Sequence, residues 1–155
     1  MSKVLIAALT SSASLALVAG GALAADVEKT AAQKQGWATY AKELQRKVDD
    51  VNKACGSKLT ASYDKSTYPE FDPLKDRTQS ACMAAVGTLS AICASDAGKD
   101  AVKKLSKVTC RFSTEGTGVS ASGTELTVKI DPAQSAIVGK QKGSYSWQSA
   151  IKEVL

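Results

Sequence analysis

The chain of 155 residues contains no histidine. Ser-His-Asp and Cys-His nucleophilic sites are therefore excluded, because each uses an imidazole as its general base. The common zinc and non-haem iron sites with imidazole ligands are excluded for the same reason. We find no motif for a metal ion or for any other cofactor.

The four cysteines lack the spacing of a metal site. They stand 27, 11 and 17 residues apart, with no C-x-x-C pair, so the thiolate pattern of structural zinc is missing. In an exported chain, four cysteines are typical of two disulfide bonds. Once oxidised, these thiols are not available as nucleophiles.

The first 24 residues have the pattern of an export signal. A short positive start at Lys3 precedes an interrupted apolar run over 4–18, and small residues follow up to Ala24. The run is too short and too interrupted for a transmembrane anchor, so we expect cleavage after Ala24 and no membrane span afterwards. This predicts a periplasmic or secreted protein.

The remaining residues, 25–155, are enough for a single globular domain. Lys3 is the only charged residue of the leader, so the mature charge is +4. This mild excess favours anionic surfaces, but it falls short of the clustered basic footprint of a nucleic-acid-binding protein.

Four segments have the apolar spacing of helices. The segment 31–54 carries an apolar seam on one face and charges on the other, and Gly56 is placed to cap its end. The segment 78–94 is the longest apolar periodic run of the mature chain, and we expect it to form a central buried helix. Ser95-Asp96 ends this helix and is placed to cap a short helix near 97–106, and a last helix begins after Ser146.

Three segments alternate apolar and polar residues as strands do. They cover 58–63, 107–113 and 125–131, and the last two are predicted to form a hairpin across the Gly/Ser-rich stretch 115–123. The predicted fold is therefore α+β, with about four helices around a small antiparallel sheet made of a short strand plus a hairpin.

The predicted central helix limits how the cysteines pair. Cys82 and Cys93 would be separated by about 16 Å of helical rise, well beyond the reach of a disulfide. This excludes Cys82–Cys93, and with it Cys55–Cys110, and two pairings remain. We favour Cys55 with Cys93 and Cys82 with Cys110, because the strand 58–63 should return the chain along the first helix.

Little catalytic chemistry is left. Ser62 with Lys65, and Ser149 with Lys152, match S-x-x-K, but the companion motifs of that hydrolase class are missing. Paired carboxylates are the other route, with Glu70 and Asp72 close together in a proline-rich loop and Asp64 nearby. Sequence neighbours are poor candidates for two carboxyl groups that face each other across a cleft.

Two surfaces are candidates for binding. The first is the loop 63–71, which carries the aromatic residues Tyr63, Tyr68 and Phe71. The alternative is that Tyr63 and Phe71 point inward and anchor the loop. The second is a basic face whose alternative is a solvated helix surface with an Asp100–Lys104 ion pair. Its members are Lys99, Lys103, Lys104 and Lys107, extended by Lys140 and Lys142.

The leading hypothesis is an exported, disulfide-stabilised, non-catalytic binding module, such as an inhibitor, a chaperone or an immunity-type protein. Its partner would be another exported protein or an anionic envelope polymer. One alternative is a histidine-free hydrolase that acts on cell-wall or glycan substrates through carboxylates. The other is a structural envelope component.

Overall fold

The computed structural model describes residues 30–68, 78–132 and 146–155. The predicted export signal at 1–24 lies outside these residues. So do Phe71, Glu70 and Asp72 of the predicted loop, and Lys140 and Lys142 of the basic face.

Helix α1 (Ala31–Cys55) is capped at both ends. The Thr30 side chain accepts a hydrogen bond from the Gln33 amide, and the Gln33 side chain returns one to the Thr30 amide, which forms a capping box. At the other end Gly56 adopts φ of 65°, the left-handed conformation that glycine favours in this position. The predicted helix 31–54 and its cap are therefore present.

Three further helices are α2 (Thr78–Ile92), α3 (Asp96–Lys103) and α4 (Trp147–Val154). The side chain of Ser95 accepts a hydrogen bond from the Gly98 amide and caps α3, and Ser146 caps α4 through the Ser149 amide. Both serines were expected at helix starts. A single 3₁₀ turn, Lys65–Thr67, follows the first strand.

The sheet has four strands: β1 (Thr60–Tyr63), β2 (Lys107–Phe112), β3 (Gly118–Ser122) and β4 (Glu125–Ile130). Their order is β1-β2-β4-β3. β1 pairs with β2 in parallel, β2 pairs with β4 in parallel, and only β3 and β4 are antiparallel. The α+β class with four helices and two disulfides holds, but the sheet is mixed.

The predicted hairpin between 107–113 and 125–131 is therefore wrong. β3 lies within the stretch expected to be a loop, and it forms the hairpin with β4 across the two residues Gly123 and Thr124. Gly123 has φ of 58°, and its place as the first turn residue suits a two-residue hairpin loop. The alternation of polar and apolar residues marks a strand but carries no information on which strand lies beside it.

The helices pack on one face of the sheet, and α2 is central among them. It contacts α1, α3 and α4 and also β2 and β4. Because neighbours surround it, α2 is apolar around most of its circumference, unlike the amphipathic α1. The core is formed by apolar residues of α1, α2, β2 and β4: Leu44, Val48, Val51, Val86, Leu89, Val108, Leu126, Val128 and Ile130.

The two disulfides join α2 to elements on either side of it. Cys55 at the end of α1 pairs with Cys93, with a Cα–Cα distance of 5.3 Å, and Cys82 pairs with Cys110 on β2 at 5.9 Å. This is the pairing that the sequence analysis favours. None of the helices in the described ranges is long and apolar enough to cross a membrane.

Candidate functional site

The sheet turns a polar face away from the helices. The inward side chains of β2 and β4 are buried, apart from the partly buried Phe112, whereas the alternating outward ones are partly or fully exposed. Parallel strands are usually covered on both faces, but none of the described helices packs on this second face. Its residues are Thr60, Ser62, Lys107, Thr109, Arg111, Ser120, Ser122, Glu125, Thr127 and Lys129.

A groove opens at one edge of this polar face, where the parallel strands β1, β2 and β4 end. Its volume is about 480 Å³, which is within the range of ligand pockets. The carboxyl ends of parallel strands are also where α/β sheets commonly bind ligands. The groove is lined by Thr67, Arg111, Phe112, Ser113, Thr114, Glu115 and Lys129.

Hydrogen bonds fix one wall of the groove. The Thr67 hydroxyl donates to the Asp64 carbonyl at 2.7 Å and accepts from the Phe112 amide at 3.0 Å, which fastens the 3₁₀ turn to β2. The Asp64 amide donates to the Cys110 carbonyl at 2.8 Å. The turn therefore has a defined position beside the ends of the strands.

Two cations stand side by side in the groove. Arg111 and Lys129 are in register on β2 and β4, so their Cα atoms are about 4.8 Å apart and their side chains share one face. Arg111 is held by Asp64, with 3.2 Å between Nε and Oδ2. Lys129 has no ion pair among the described residues. Like charges placed directly opposite each other are unfavourable unless an anion lies between them.

Glu115 gives the groove one negative charge beside these two cations, and Ser113 and Thr114 add hydroxyl groups. Hydroxyl groups donate and accept hydrogen bonds, and a guanidinium is suited to carboxylates. The groove therefore matches an isolated carboxylate better than a densely charged anion, which Glu115 would repel.

The aromatic residues predicted to form a recognition loop lie inward where they are described. Tyr68 is buried, and its ring meets Trp37 at 5.2 Å between centroids. Tyr63 is partly buried, 5.5 Å from Trp37, and its hydroxyl donates to the Gln79 carbonyl. Tyr63 therefore points inward and anchors the loop, as the alternative interpretation proposed. The buried ring of Tyr68 is not exposed to a partner. Burial raises the pKa of Tyr63 above its usual range.

The lysines predicted as one basic face surround the junction of α3 and β2. Lys99 pairs with Asp96, Lys107 pairs with Glu125 across two strands, and Lys103 lies beside Gly56 at the end of α1. Lys104 caps α3. The ion pairs found in the described part of the chain do not include Asp100–Lys104. Lys99 and Lys107 thus meet carboxylates on two different elements, and the basic face stays a prediction.

Arg111 and Lys129 were not singled out from the sequence. The alternation around Cys110 and Val128 places each of them on the outward face of its strand. Their proximity depends on the parallel register of β2 with β4, which a predicted hairpin conceals.

The carboxylates considered for hydrolysis are not brought together in the described residues. Asp64 binds Arg111 and accepts a hydrogen bond from Ser66, and the other two lie outside the described ranges. Those ranges hold no group of three side chains that could ligate a metal ion. In comparisons with protein-family models, curated proteins and solved structures, the chain shows no significant match.

Proposed function

We propose that the chain is an exported, non-catalytic binding module that recognises a carboxylate-bearing segment of another exported protein. The two disulfides are consistent with an oxidising, exported environment. The observation that carries the proposal is the in-register pair Arg111 and Lys129, which lines an open groove.

The two cations have different roles in this proposal. Asp64 holds the Arg111 side chain through Nε and leaves its terminal nitrogens to meet a ligand. Lys129 supplies a second charge without a described partner on the protein. An incoming carboxylate would be attracted to both cations, and it would join the Asp64 carboxylate that already pairs with Arg111.

A short peptide with one central glutamate, blocked at both ends, is the direct probe, with its glutamine counterpart as the control ligand. We expect the glutamate peptide to shift the backbone amide resonances of Ser113, Thr114 and Lys129, and the glutamine peptide to bind much more weakly. Salt should weaken the binding, because the groove is open to solvent.

Lys129→Gln is the informative variant, because Arg111 also holds Asp64 and its loss would disturb the groove itself. Loss of one charge–charge contact should weaken peptide binding about tenfold, which corresponds to about 1.4 kcal/mol. Lys152→Gln removes the same charge from α4 and should leave binding unchanged.

Equal binding by the Lys129→Gln variant would refute the proposed site. Tighter binding of a polyanion, such as polyphosphate, than of the acidic peptide would favour an anionic envelope polymer as the partner.

A further inference from the structure

Among the described residues, no backbone group pairs with the outer edge of β3. The carbonyls of Thr124 and Ile130 accept hydrogen bonds from Ser106 and Ser113 on the β2 side of β4. The backbone N–H and C=O groups of successive residues in a strand point to alternate sides. Those of residues 125, 127 and 129 therefore point toward β3, opposite residues 122, 120 and 118. The intervening Val119 and Ala121 direct their N–H and C=O groups away from the sheet.

The sequence of β3 lacks the residues that usually protect an edge strand. Lysine, proline and bulges are the common devices against pairing with another chain. The sequence of β3, GVSAS, contains no charged residue and no proline. α4 packs against β3, and the partly buried Val119 contacts the core from the side of the sheet that faces the helices. At the opposite edge, β1 has only four residues and contacts α1.

We propose that this edge binds β3 of a second copy of the chain in an antiparallel pairing centred on Ser120. The amide and carbonyl groups of Val119 and Ala121 in each copy would form hydrogen bonds with those of the other copy. This pairing joins two four-stranded sheets into one of eight strands. Main-chain hydrogen bonds carry this kind of contact, and the small, uncharged side chains of β3 do not oppose it.

The charges beside the edge suit a twofold arrangement. On β4, Lys129 lies next to Gly118 at one end of β3, and Glu125 lies next to Ser122 at the other end. Antiparallel pairing places the Gly118 end of one copy against the Ser122 end of the other. Each positive end is therefore aligned with a negative end of the other copy, with the two β3 strands between them and about 14 Å between the Cα atoms of Lys129 and the partner's Glu125, whereas a parallel pairing would align like charges.

The proposal is tested by sedimentation equilibrium of the purified, oxidised protein from about 10 µM to about 1 mM. We expect the apparent mass to rise toward twice that of the monomer. Ala121→Pro removes one outward N–H that β4 does not use, so the variant should fold and remain monomeric at all concentrations. Ala121→Val retains the N–H and should still dimerise.

Amide hydrogen exchange reports on the same edge without a substitution. The Ser120 amide should be protected at every concentration, because it bonds to β4. The Val119 and Ala121 amides should be protected only at high concentration.

A monomer throughout the concentration range would overturn the proposal, and so would a dimer that persists in Ala121→Pro. Protection of the Val119 and Ala121 amides at the lowest concentration would show that the chain covers its own edge, which also overturns it. Ala121 does not line the groove, so these results are separate from the test of peptide binding.

Discussion

The side-chain amide of Asn52 bonds to both backbone groups of Leu59. Nδ2 donates to the Leu59 carbonyl at 3.0 Å, and Oδ1 accepts from the Leu59 amide at 2.7 Å. Oδ1 also accepts from the Ser57 hydroxyl at 2.7 Å. One side chain in the last turn of α1 therefore fixes the path of the chain into β1.

Replacing Asn52 with alanine should lower the free energy of unfolding by about 1–3 kcal/mol, because partly buried backbone groups of Leu59 lose their partners. Urea denaturation provides the measurement. Asn52→Asp retains the acceptor but loses the donor, so its stability should lie between those of the alanine variant and the native protein. Equal stability of the native and alanine proteins would show that water replaces these bonds.

Gly98 in α3 packs against the end of α2. A Cβ atom there would lie 1.9 Å from the Ile92 carbonyl oxygen, and that atom belongs to the backbone, which cannot rotate away as a side chain can. We expect Gly98→Ala to destabilise the protein by about 1–3 kcal/mol or more. Thermal unfolding of the oxidised protein measures this loss.

Gly87→Ala in α2 is the matched control. The nearest atom to its added Cβ would be Cδ of Lys47 at 3.8 Å, an ordinary contact. Alanine should therefore stabilise the helix by up to about 1 kcal/mol. If both glycine variants were stabilising, the close approach of α3 to Ile92 would be contradicted.

Each disulfide should contribute similar stability. The bridges close sequence separations of 38 and 28 residues, and the loop-entropy relation depends only on the logarithm of that length. Replacing either pair with alanine should cost about 3.5–4 kcal/mol. Urea denaturation of the two double variants checks this, with cysteine pairing in each verified by peptide mapping under non-reducing conditions.

The stability of the protein should fall in alkaline solution because of Tyr63. Burial raises the pKa of this phenol in the folded state, with smaller contributions from Tyr68, Tyr40 and Glu43. Above the unfolded-state pKa of about 10, the unfolded chain loses a proton that the folded chain retains. The free energy of unfolding then decreases by up to about 1.4 kcal/mol per pH unit, and this stabilisation is fully present below pH 10.

Tyr63→Phe should flatten this alkaline decline, although it also removes the hydrogen bond to the Gln79 carbonyl. Urea denaturation of both proteins from pH 8 upward separates the two effects. The lost hydrogen bond lowers stability at every pH, whereas the titration changes only the slope. An unchanged slope would assign the alkaline loss to other groups.

The sequence by itself determines most of the local structure. The apolar seam of α1, the caps at Gly56, Ser95 and Ser146, and the elimination of a Cys82–Cys93 bridge each depend on residues close together in the chain. Helix periodicity and capping are local properties, so the sequence reveals them directly.

Only the tertiary structure decides how the strands are ordered. Alternation of polar and apolar residues marks β2 and β4 as strands. They are parallel because β3 lies at the sheet edge, and the chain turns at Gly123 so that β4 returns between β3 and β2. That register brings Arg111 beside Lys129 and places β3 at the edge of the sheet. From the sequence, Gly98 is only a weak helix former within α3. The close contact with Ile92, which requires a glycine at this position, appears only when α3 packs against α2. Contacts between distant segments depend on the packing of the whole chain, and both proposed binding surfaces arise from such contacts.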